Sequence, residues 1–255
     1  MKKLQKDALQ VQIYENRTEM GKAAAEELAS KLKELLATRK NIRMIFASAP
    51  SQNEFFAHLA KIASSGKIDF SRITAFHLDE YIGLSADAPQ GFGNFLQDKL
   101  FSKIQLGEVH FINSQAADAE AECQRYAALI NAAPIDIVCM GIGENAHIAF
   151  NDPPVADFND PKLVKIVELD EMCRQQQVND GCFATITDVP THAITLTIPA
   201  IMRGEAIFCM VPGSTKANAV YNSLEKEVST AYPASILRKK QGAVLYLDKD
   251  SSSKI

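Results

Sequence analysis

Two kinds of apolar pattern alternate along this chain of 255 residues. Residues 16–40 are rich in Ala, Leu, Glu and Lys and carry apolar residues at helical spacing, so they predict a long amphipathic helix. Short, β-prone apolar segments predict strands at IRMIFA (42–47), ITAFHL (73–78), IDIVCM (135–140), AITLTI (193–198), AIFCMV (206–211) and AVLYLD (243–248). Further helices are predicted at residues 53–65, 91–103, 116–133 and 215–227.

Strands that are apolar throughout and alternate with helices indicate an α/β fold, with a mostly parallel sheet and helices on both faces. No repeat, low-complexity linker or change of composition divides the chain, so residues 1–255 are interpreted as a single domain. In such sheets the ligand lies beyond the carboxyl ends of the strands. The residues that follow each strand are therefore the candidates for a functional site.

Composition narrows the class of ligand. The net charge is −4 and the charges are scattered, so no broad basic field favours nucleic acid or an anionic membrane. No apolar run is long enough to span a bilayer or to act as a signal peptide. The five cysteines are widely spaced without a CxxC pair, which favours reduced thiols. We expect a cytoplasmic protein that acts on a small molecule.

Two predicted strand ends carry hydroxyl groups and lead into helices. Ser48-Ala49-Pro50-Ser51 follows the strand at 42–47, and a turn followed by a helix N-terminus can bind an anion, although Ser51 or Asn53 could simply cap the helix. Pro212-Gly213-Ser214-Thr215-Lys216 follows the strand at 206–211. Lys216 could serve as a point charge for a phosphate or could be an ordinary surface lysine.

Adjacent acids follow the strand at 73–78. One of Asp79 and Glu80 could act as a general base in a partly desolvated cleft, and the alternative is a turn acid or a helix cap. His77, within the strand, fits a packed core histidine better than a ligand.

The segment GIGENAHIAFNDPP (141–154) follows the strand at 135–140 and is the richest in chemistry. Gly141 and Gly143 allow a tight turn or a close approach to a ligand. His147 titrates near neutral pH and can move a proton, and a carboxylate such as Asp152 could orient its ring. A metal site is the competing hypothesis, but one histidine without HxxxH or HxH spacing or a neighbouring cysteine argues against it.

FHLDEYIGL (76–84) and GIGENAHIAFNDP (141–153) together resemble the paired motifs of the glucosamine-6-phosphate deaminase family, within a wider group that includes 6-phosphogluconolactonases. The resemblance extends over nearly the whole chain. It implies a Rossmann-like sheet similar to the deaminase/ribose-5-phosphate isomerase-like fold. It also implies conversion of an amino-sugar 6-phosphate and water to a ketose 6-phosphate and ammonia, without cofactor or metal.

The resemblance also implies roles for individual residues. Asp79 matches the base that moves a proton between C2 and C1, and His147 matches the histidine that assists ring opening. Asp152, with Asn145, matches the groups that orient and tune this histidine. The residues expected to bind substrate or its phosphate are Ser48, Ala49, Ser51, Glu80, Gly141, Gly143, Arg174 and Lys216.

Departures from the family pattern affect both ends of the site. The loop Ser48–Ser51 replaces the usual Thr-Gly-Gly-Thr, and Pro50 removes a backbone N–H that could bind phosphate. Asn145 often corresponds to Asp, Asp152 to Glu and Ala146 to Gly. The phosphate-binding arginine of the family aligns near Gly181, so Arg174 could replace it, or Gln176, Gln177 and Asn179 could supply neutral hydrogen bonds.

Three functions remain open from the sequence. The first is the deaminase/isomerase, and its alternatives are a 6-phosphogluconolactonase-type hydrolase and a sugar-phosphate sensor without catalysis. The segment Ile148–Pro153 and the motif DEYIGL favour the deaminase. A homo-oligomer is an open expectation, because the family includes monomers and hexamers.

Overall fold

The computed structural model describes all residues, Met1–Ile255. An eight-stranded main sheet with strand order β1-β2-β11-β10-β7-β3-β4-β6 forms its centre, and a three-stranded sheet, β5-β9-β8, lies beside it. Every pairing in the main sheet is parallel except that of β1 with β2. The strands are β1 (Lys2–Lys6), β2 (Leu9–Tyr14), β3 (Ile42–Phe46), β4 (Ile73–His77), β5 (Asp79–Tyr81), β6 (Glu108–Val109), β7 (Ile137–Met140), β8 (Val164–Glu168), β9 (His192–Leu196), β10 (Ala206–Val211) and β11 (Ala243–Asp248).

Helices cover both faces of the main sheet, as the pattern predicts. The α-helices are α1 (Arg17–Leu36), α2 (Asn53–Ser64), α3 (Phe92–Lys99), α4 (Ala119–Asn131), α5 (Glu171–Asn179), α6 (Ile198–Met202) and α7 (Ala217–Glu225). Apolar residues of α1, α2 and α3 form a core on one face, and those of α4, α6 and α7 form a core on the other. The single-domain α/β fold is therefore confirmed.

Helix α1 shows how the sequence specifies these elements. The side chain of Asn16 caps its N-terminus by accepting a hydrogen bond from the Glu19 N–H. Ala24, Leu28 and Leu32 recur every four residues and are fully buried, so the helix is held by one apolar stripe.

The small sheet corrects one prediction. The segment AITLTI contributes β9 to this antiparallel sheet, not to the main sheet. Its neighbours β5 and β8 are too short or too polar to stand out in the sequence. The N-terminal hairpin of β1 and β2 was also not predicted, because β1 is a polar edge strand with little burial.

The junction of the two sheets positions the candidate site. The chain leaves the main sheet at His77 and enters the small sheet at Asp79, with Leu78 between them. His77 is fully buried and its Nε2 accepts the backbone N–H of Ile112 at 2.8 Å. Burial lowers the pKa of His77 to about 3. It is a neutral core histidine, as expected.

Candidate active site

A cleft of about 330 Å³ opens at the carboxyl edge of the main sheet. Its walls come mainly from the segments that follow β3, β4, β7 and β10, which is where an α/β sheet places its ligand. The candidate residues that line it are Ser48, Ala49, Ser51, Asp79, Gly141, Gly143, His147 and Lys216. Residues distant in sequence thus meet at one site.

Asp79 lies in this cleft with only 6 % of its surface exposed. Burial raises its pKa well above the ordinary 3.8, and the charges of Glu80 and Asp152 raise it further, while the backbone N–H of Phe150 opposes the shift. A carboxyl group with a raised pKa holds a proton more readily after accepting it. Asp79 is therefore suited to both removing and returning a proton.

Glu80 is directed away from the cleft, which corrects the expectation that it contacts substrate. Asp79 and Glu80 are successive residues of β5, so their side chains point to opposite faces. The Glu80 carboxylate accepts the backbone N–H groups of Tyr81 and Phe92 at 3.0 Å and of Gly93 at 2.9 Å. It thereby satisfies free N–H groups at the start of α3, which is a structural role.

His147 is held on one side by a carboxylate. Its Nδ1 lies 2.8 Å from Oδ1 of Asp152, so Asp152 reaches the ring despite its short side chain. Asn145 donates to the same carboxylate oxygen at 2.8 Å and accepts the backbone N–H of His147 at 3.0 Å. With Nδ1 bound to Asp152, Nε2 is the ring nitrogen left to exchange a proton with a ligand.

Asp152 is buried and ionised. Burial raises its pKa, but the charge of His147 and hydrogen bonds from His147, Asn145 and Cys173 outweigh burial and bring the pKa below 3.8. Neither Asp152 nor Asn145 lines the cleft. Both contact His147, which does line it.

One group of potential metal ligands includes this pair. Atoms of His147, Asp152 and Cys173 lie within 4.8 Å of one another. The histidine nitrogen and the carboxylate oxygen already bind each other there. A metal would have to break that bond, so the geometry suits proton transfer better than metal binding.

Two backbone features shape the loop that carries His147: Gly143 lies close to the His147 ring, and two alanines have a left-handed backbone. A Cβ atom added to Gly143 would lie 2.1 Å from Nε2 of His147, so only glycine leaves room for the ring. Ala146 has φ +67° and Ala149 has φ +48°. This conformation costs a non-glycine residue about 1 kcal/mol, so the backbone at Ala146 would favour glycine.

Hydroxyl groups and a lysine line the other half of the cleft. Ser48 is 8 % exposed, and its Oγ has no hydrogen-bond partner in the protein. Lys216 is 7 % exposed, forms no ion pair with a protein carboxylate and has its pKa lowered by burial. The turns before α2 and α7, which bring the positive ends of these helices, also line this half. Lys216 and these turns can bind an anionic group.

Arg174 does not reach the cleft, in contrast to the expectation that it replaces a phosphate-binding arginine. Its guanidinium donates to the carbonyl oxygens of Ile186 at 2.7 Å and Val189 at 3.0 Å. Gln176 and Gln177, the neutral alternative, do line the cleft. Both are buried residues of α5.

Other lining residues could not be found from sequence. They are Arg17, Phe92 and Asp180. Arg17 begins α1 and Asp180 ends α5, so neither follows a strand of the main sheet. Only the packing of these helices against the sheet edge brings them to the cleft.

The fold and site define an α/β enzyme with a buried carboxyl group and a carboxylate-bound histidine facing a small polar ligand. Residues 15–246 match the family described as glucosamine-6-phosphate isomerases/6-phosphogluconolactonase. The chain therefore belongs to the glucosamine-6-phosphate isomerase/6-phosphogluconolactonase family.

Individual relatives agree with this assignment. The chain is 36 % identical over 232 residues to glucosamine-6-phosphate deaminases of Bacillus cereus (strain B4264) and Bacillus thuringiensis (strain Al Hakam), covering 89 % of this chain and 85 % of each relative. It is similar to the structure of a monomeric glucosamine-6-phosphate deaminase, with TM-score 0.89 and 30 % identity over 96 % of this chain and 99 % of that one. A 6-phosphogluconolactonase of Thermotoga maritima shares the fold, with TM-score 0.75 and 20 % identity over 94 % and 99 % of the chains. No helix of the structure is long and apolar enough to cross a membrane.

Proposed function

We propose that this protein is an aldose–ketose isomerase/deaminase that converts an amino-sugar 6-phosphate, such as glucosamine 6-phosphate, and water to a ketose 6-phosphate and ammonia. The observation that carries the proposal is that Asp79 and His147, which lie 68 positions apart in sequence, line one cleft. The resemblance of both motifs to the deaminase family and the 36 % identity to named deaminases support the same reaction.

His147 serves ring opening in this proposal. Breaking the ring bond requires a proton on the ring oxygen and loss of the proton from the C1 hydroxyl group. Nε2 of His147 can exchange these protons because Nδ1 is bound to Asp152. The Asp152 carboxylate stabilises the protonated ring, so His147 can alternate between the two forms during turnover.

Asp79 serves the isomerisation. It removes the C2 proton of the open aldehyde while the aldehyde oxygen takes a proton from the C2 ammonium group, which gives an enolamine with a double bond between C1 and C2. It then returns a proton to C1, which leaves an iminium group at C2. Water adds to this carbon and ammonia leaves, so the product is the ketose. The raised pKa of Asp79 suits this shuttle, because the same carboxyl group must accept and then release the proton.

The phosphate group contributes binding energy remote from the reaction. In this proposal Lys216 and the turns at Ser48–Ser51 and Gly213–Lys216 hold it. Binding there fixes C1 and C2 against Asp79 and His147.

A panel assay tests the proposed function. Purified protein is incubated with glucosamine 6-phosphate, galactosamine 6-phosphate and N-acetylglucosamine 6-phosphate, and the release of ammonia and ketose phosphate is measured. We expect equal amounts of both products from at least one free amino sugar. Release from none of them would refute the proposal.

The same preparation separates the alternatives. Hydrolysis of 6-phosphogluconolactone without ammonia release from any amino sugar would identify a lactonase. Binding of the sugar phosphates by calorimetry without any turnover would identify a sensor. The cytoplasmic location and the oligomeric state stay predictions.

A further inference from the structure

The charges at the distal end of the cleft, which is the end with Lys216, differ from those expected around a phosphate dianion. Lys216 follows β10 and Asp79 follows β4, and the two strands are separated by three strand spacings, or about 14 Å. The two residues therefore mark opposite ends of the cleft. The inference below rests on the proposed function, because it takes Asp79 as the catalytic end.

Only one cation at this end has no carboxylate partner in the protein. The lining residues include two long basic side chains, Arg17 and Lys216. Arg17 is occupied, because its guanidinium lies 2.7 Å from the Glu54 carboxylate and donates to the Pro50 carbonyl at 3.1 Å. Lys216 alone remains to balance a charge on the ligand.

Backbone donors are also fewer than two turns would normally supply. Pro50 has no N–H, and the Gly213 N–H donates to both carboxylate oxygens of Asp248 at 3.0 Å. Two positions on the loops that could bind phosphate oxygen thus contribute no hydrogen bond to a ligand.

Asp180 adds a negative charge to the same region. It lines the cleft as the C-cap residue of α5, so the negative end of this helix lies at the cleft too. Among the acidic groups that act on Lys216, Asp180 has the strongest effect. Gln176 holds it in place by donating to Oδ2 of Asp180 at 3.3 Å while accepting the Glu144 N–H at 2.9 Å.

Neutral polar groups complete this end. Gln177 is 8 % exposed, lines the cleft and makes no side-chain hydrogen bond to the protein. The unpartnered Oγ of Ser48 is a second such group. Both suit hydroxyl or ester oxygens of any charge.

We propose that Asp180 is a specificity-determining residue that weakens selection for a doubly charged distal group, so that the cleft accepts amino sugars with a singly charged or neutral group in place of the phosphate dianion. Lys216 balances one negative charge, and Asp180 repels the second. Glucosamine 6-sulfate is the direct probe, because its ester is nearly the same size as the phosphate and carries one charge.

Binding is measured by calorimetry in an Asp79→Asn background, which removes the proposed base and prevents turnover. The ligands are glucosamine 6-phosphate, glucosamine 6-sulfate and glucosamine. With Asp180 intact, we expect the Kd values for phosphate and sulfate to agree within about five-fold. Adding Asp180→Asn should strengthen phosphate binding relative to sulfate by about two- to five-fold, because a like charge acts twice as strongly on a dianion, while the exposed position of Asp180 lets water screen its charge.

Glu34→Gln is the matched control. It removes one negative charge near the other end of α1, about 26 Å along the helix from Arg17, and should leave the ratio unchanged. Preference for phosphate over sulfate of more than 100-fold with Asp180 intact would overturn the inference. The inference would also be overturned if Asp180→Asn and Glu34→Gln gave the same ratio of Kd values for phosphate and sulfate.

The proposed function is tested separately by ammonia release from the protein with Asp79 intact. Failure there with the expected binding ratios would refute the deaminase and leave the role of Asp180 standing. Ammonia release without a change in the ratio of phosphate to sulfate affinity in Asp180→Asn would support the deaminase and refute the role of Asp180.

Discussion

The two ends of the cleft are built differently. At the catalytic end, the Asp152 carboxylate binds both His147 and Asn145, and Asn145 also fixes the backbone of His147. At the distal end, Ser48, Gln177 and Lys216 have polar groups that no protein atom engages. Under the proposed function, the protein itself fixes the geometry for proton transfer and leaves the distal hydrogen bonds for the ligand.

Preorganisation has a structural cost that is visible at the catalytic end. Asp79 is buried beside Glu80, which raises the pKa of Asp79 and disfavours its ionised form. Ala146 holds a left-handed backbone in the His147 loop. Such costs are typical of functional sites and are supported by the surrounding fold.

Gly143→Ala should have the largest effect among changes to the catalytic end that leave its ionisable groups in place. The new methyl group would overlap the His147 ring, and displacement of a catalytic group by about 1 Å lowers the rate on the order of 100-fold. Steady-state kinetics measures this as a fall in kcat. Gly66→Ala is the control, because it places no atom within 4 Å of the added Cβ and adds only backbone strain, at a positive φ of +68° that Gly143 does not share. Equal kcat values for the two variants would contradict the role of Gly143.

Asp152→Asn should reduce kcat by about 10- to 100-fold, since it removes the charge that stabilises protonated His147. KM should change little, because neither group lines the cleft. Asn145→Ala, which leaves the carboxylate, should give a smaller loss of kcat. Steady-state kinetics measures both variants, and a loss of kcat in Asp152→Asn no larger than that in Asn145→Ala would argue against coupling of Asp152 and His147.

The pH dependence of stability should distinguish the two buried aspartates. The folded-state pKa of Asp79 is raised, so its contribution to the free energy of unfolding is fully present below pH 3.8 and is lost as pH rises through the folded-state pKa. Asp152 has a lowered pKa, so its contribution is present above pH 3.8 and is lost as pH falls through its folded-state pKa. Urea titrations should therefore show Asp79→Asn to be more stable than the unmutated protein at pH 7, with a smaller difference at pH 4. The opposite trend would refute the assignment.

Ala146→Gly should have the smallest effect. Relief of the left-handed strain is worth about 1 kcal/mol, and it is offset by the greater freedom of glycine in the unfolded chain and by the loss of a fully buried methyl group. We expect the free energy of unfolding to change by less than about 1 kcal/mol and kcat to change less than two-fold. Ala127→Gly, within α4, provides the contrast, because glycine in a helix costs about 1 kcal/mol. Destabilisation by Ala146→Gly as large as that by Ala127→Gly would contradict the strain at Ala146.

Contiguous motifs made the catalytic end largely predictable from sequence. Asp152 lies five positions after His147, and the loop geometry brings the two within 2.8 Å. Five strands of the main sheet, β3, β4, β7, β10 and β11, were predictable for a similar reason, since each is a largely apolar run next to a predicted helix.

The features of the site and of the small sheet that could not be predicted from sequence depend on three-dimensional packing. Asp79 and Glu80 are adjacent acids, and only the pleat of the short strand β5 decides which one reaches the cleft. Asp180 and Arg17 lie at helix ends that carry no motif. The antiparallel small sheet was missed because no local pattern distinguishes β9 from a strand of the main sheet.

The central claim is that Asp79 is the base that moves the proton between C2 and C1, and the most direct test compares ammonia release by Asp79→Asn with that of the unmutated protein. The amide keeps the size of the side chain and cannot accept the proton. We predict a fall in kcat of about 10²- to 10⁴-fold, with an unfolding temperature at pH 7 no lower than that of the unmutated protein. A variant that folds as stably and retains kcat within ten-fold would contradict the account.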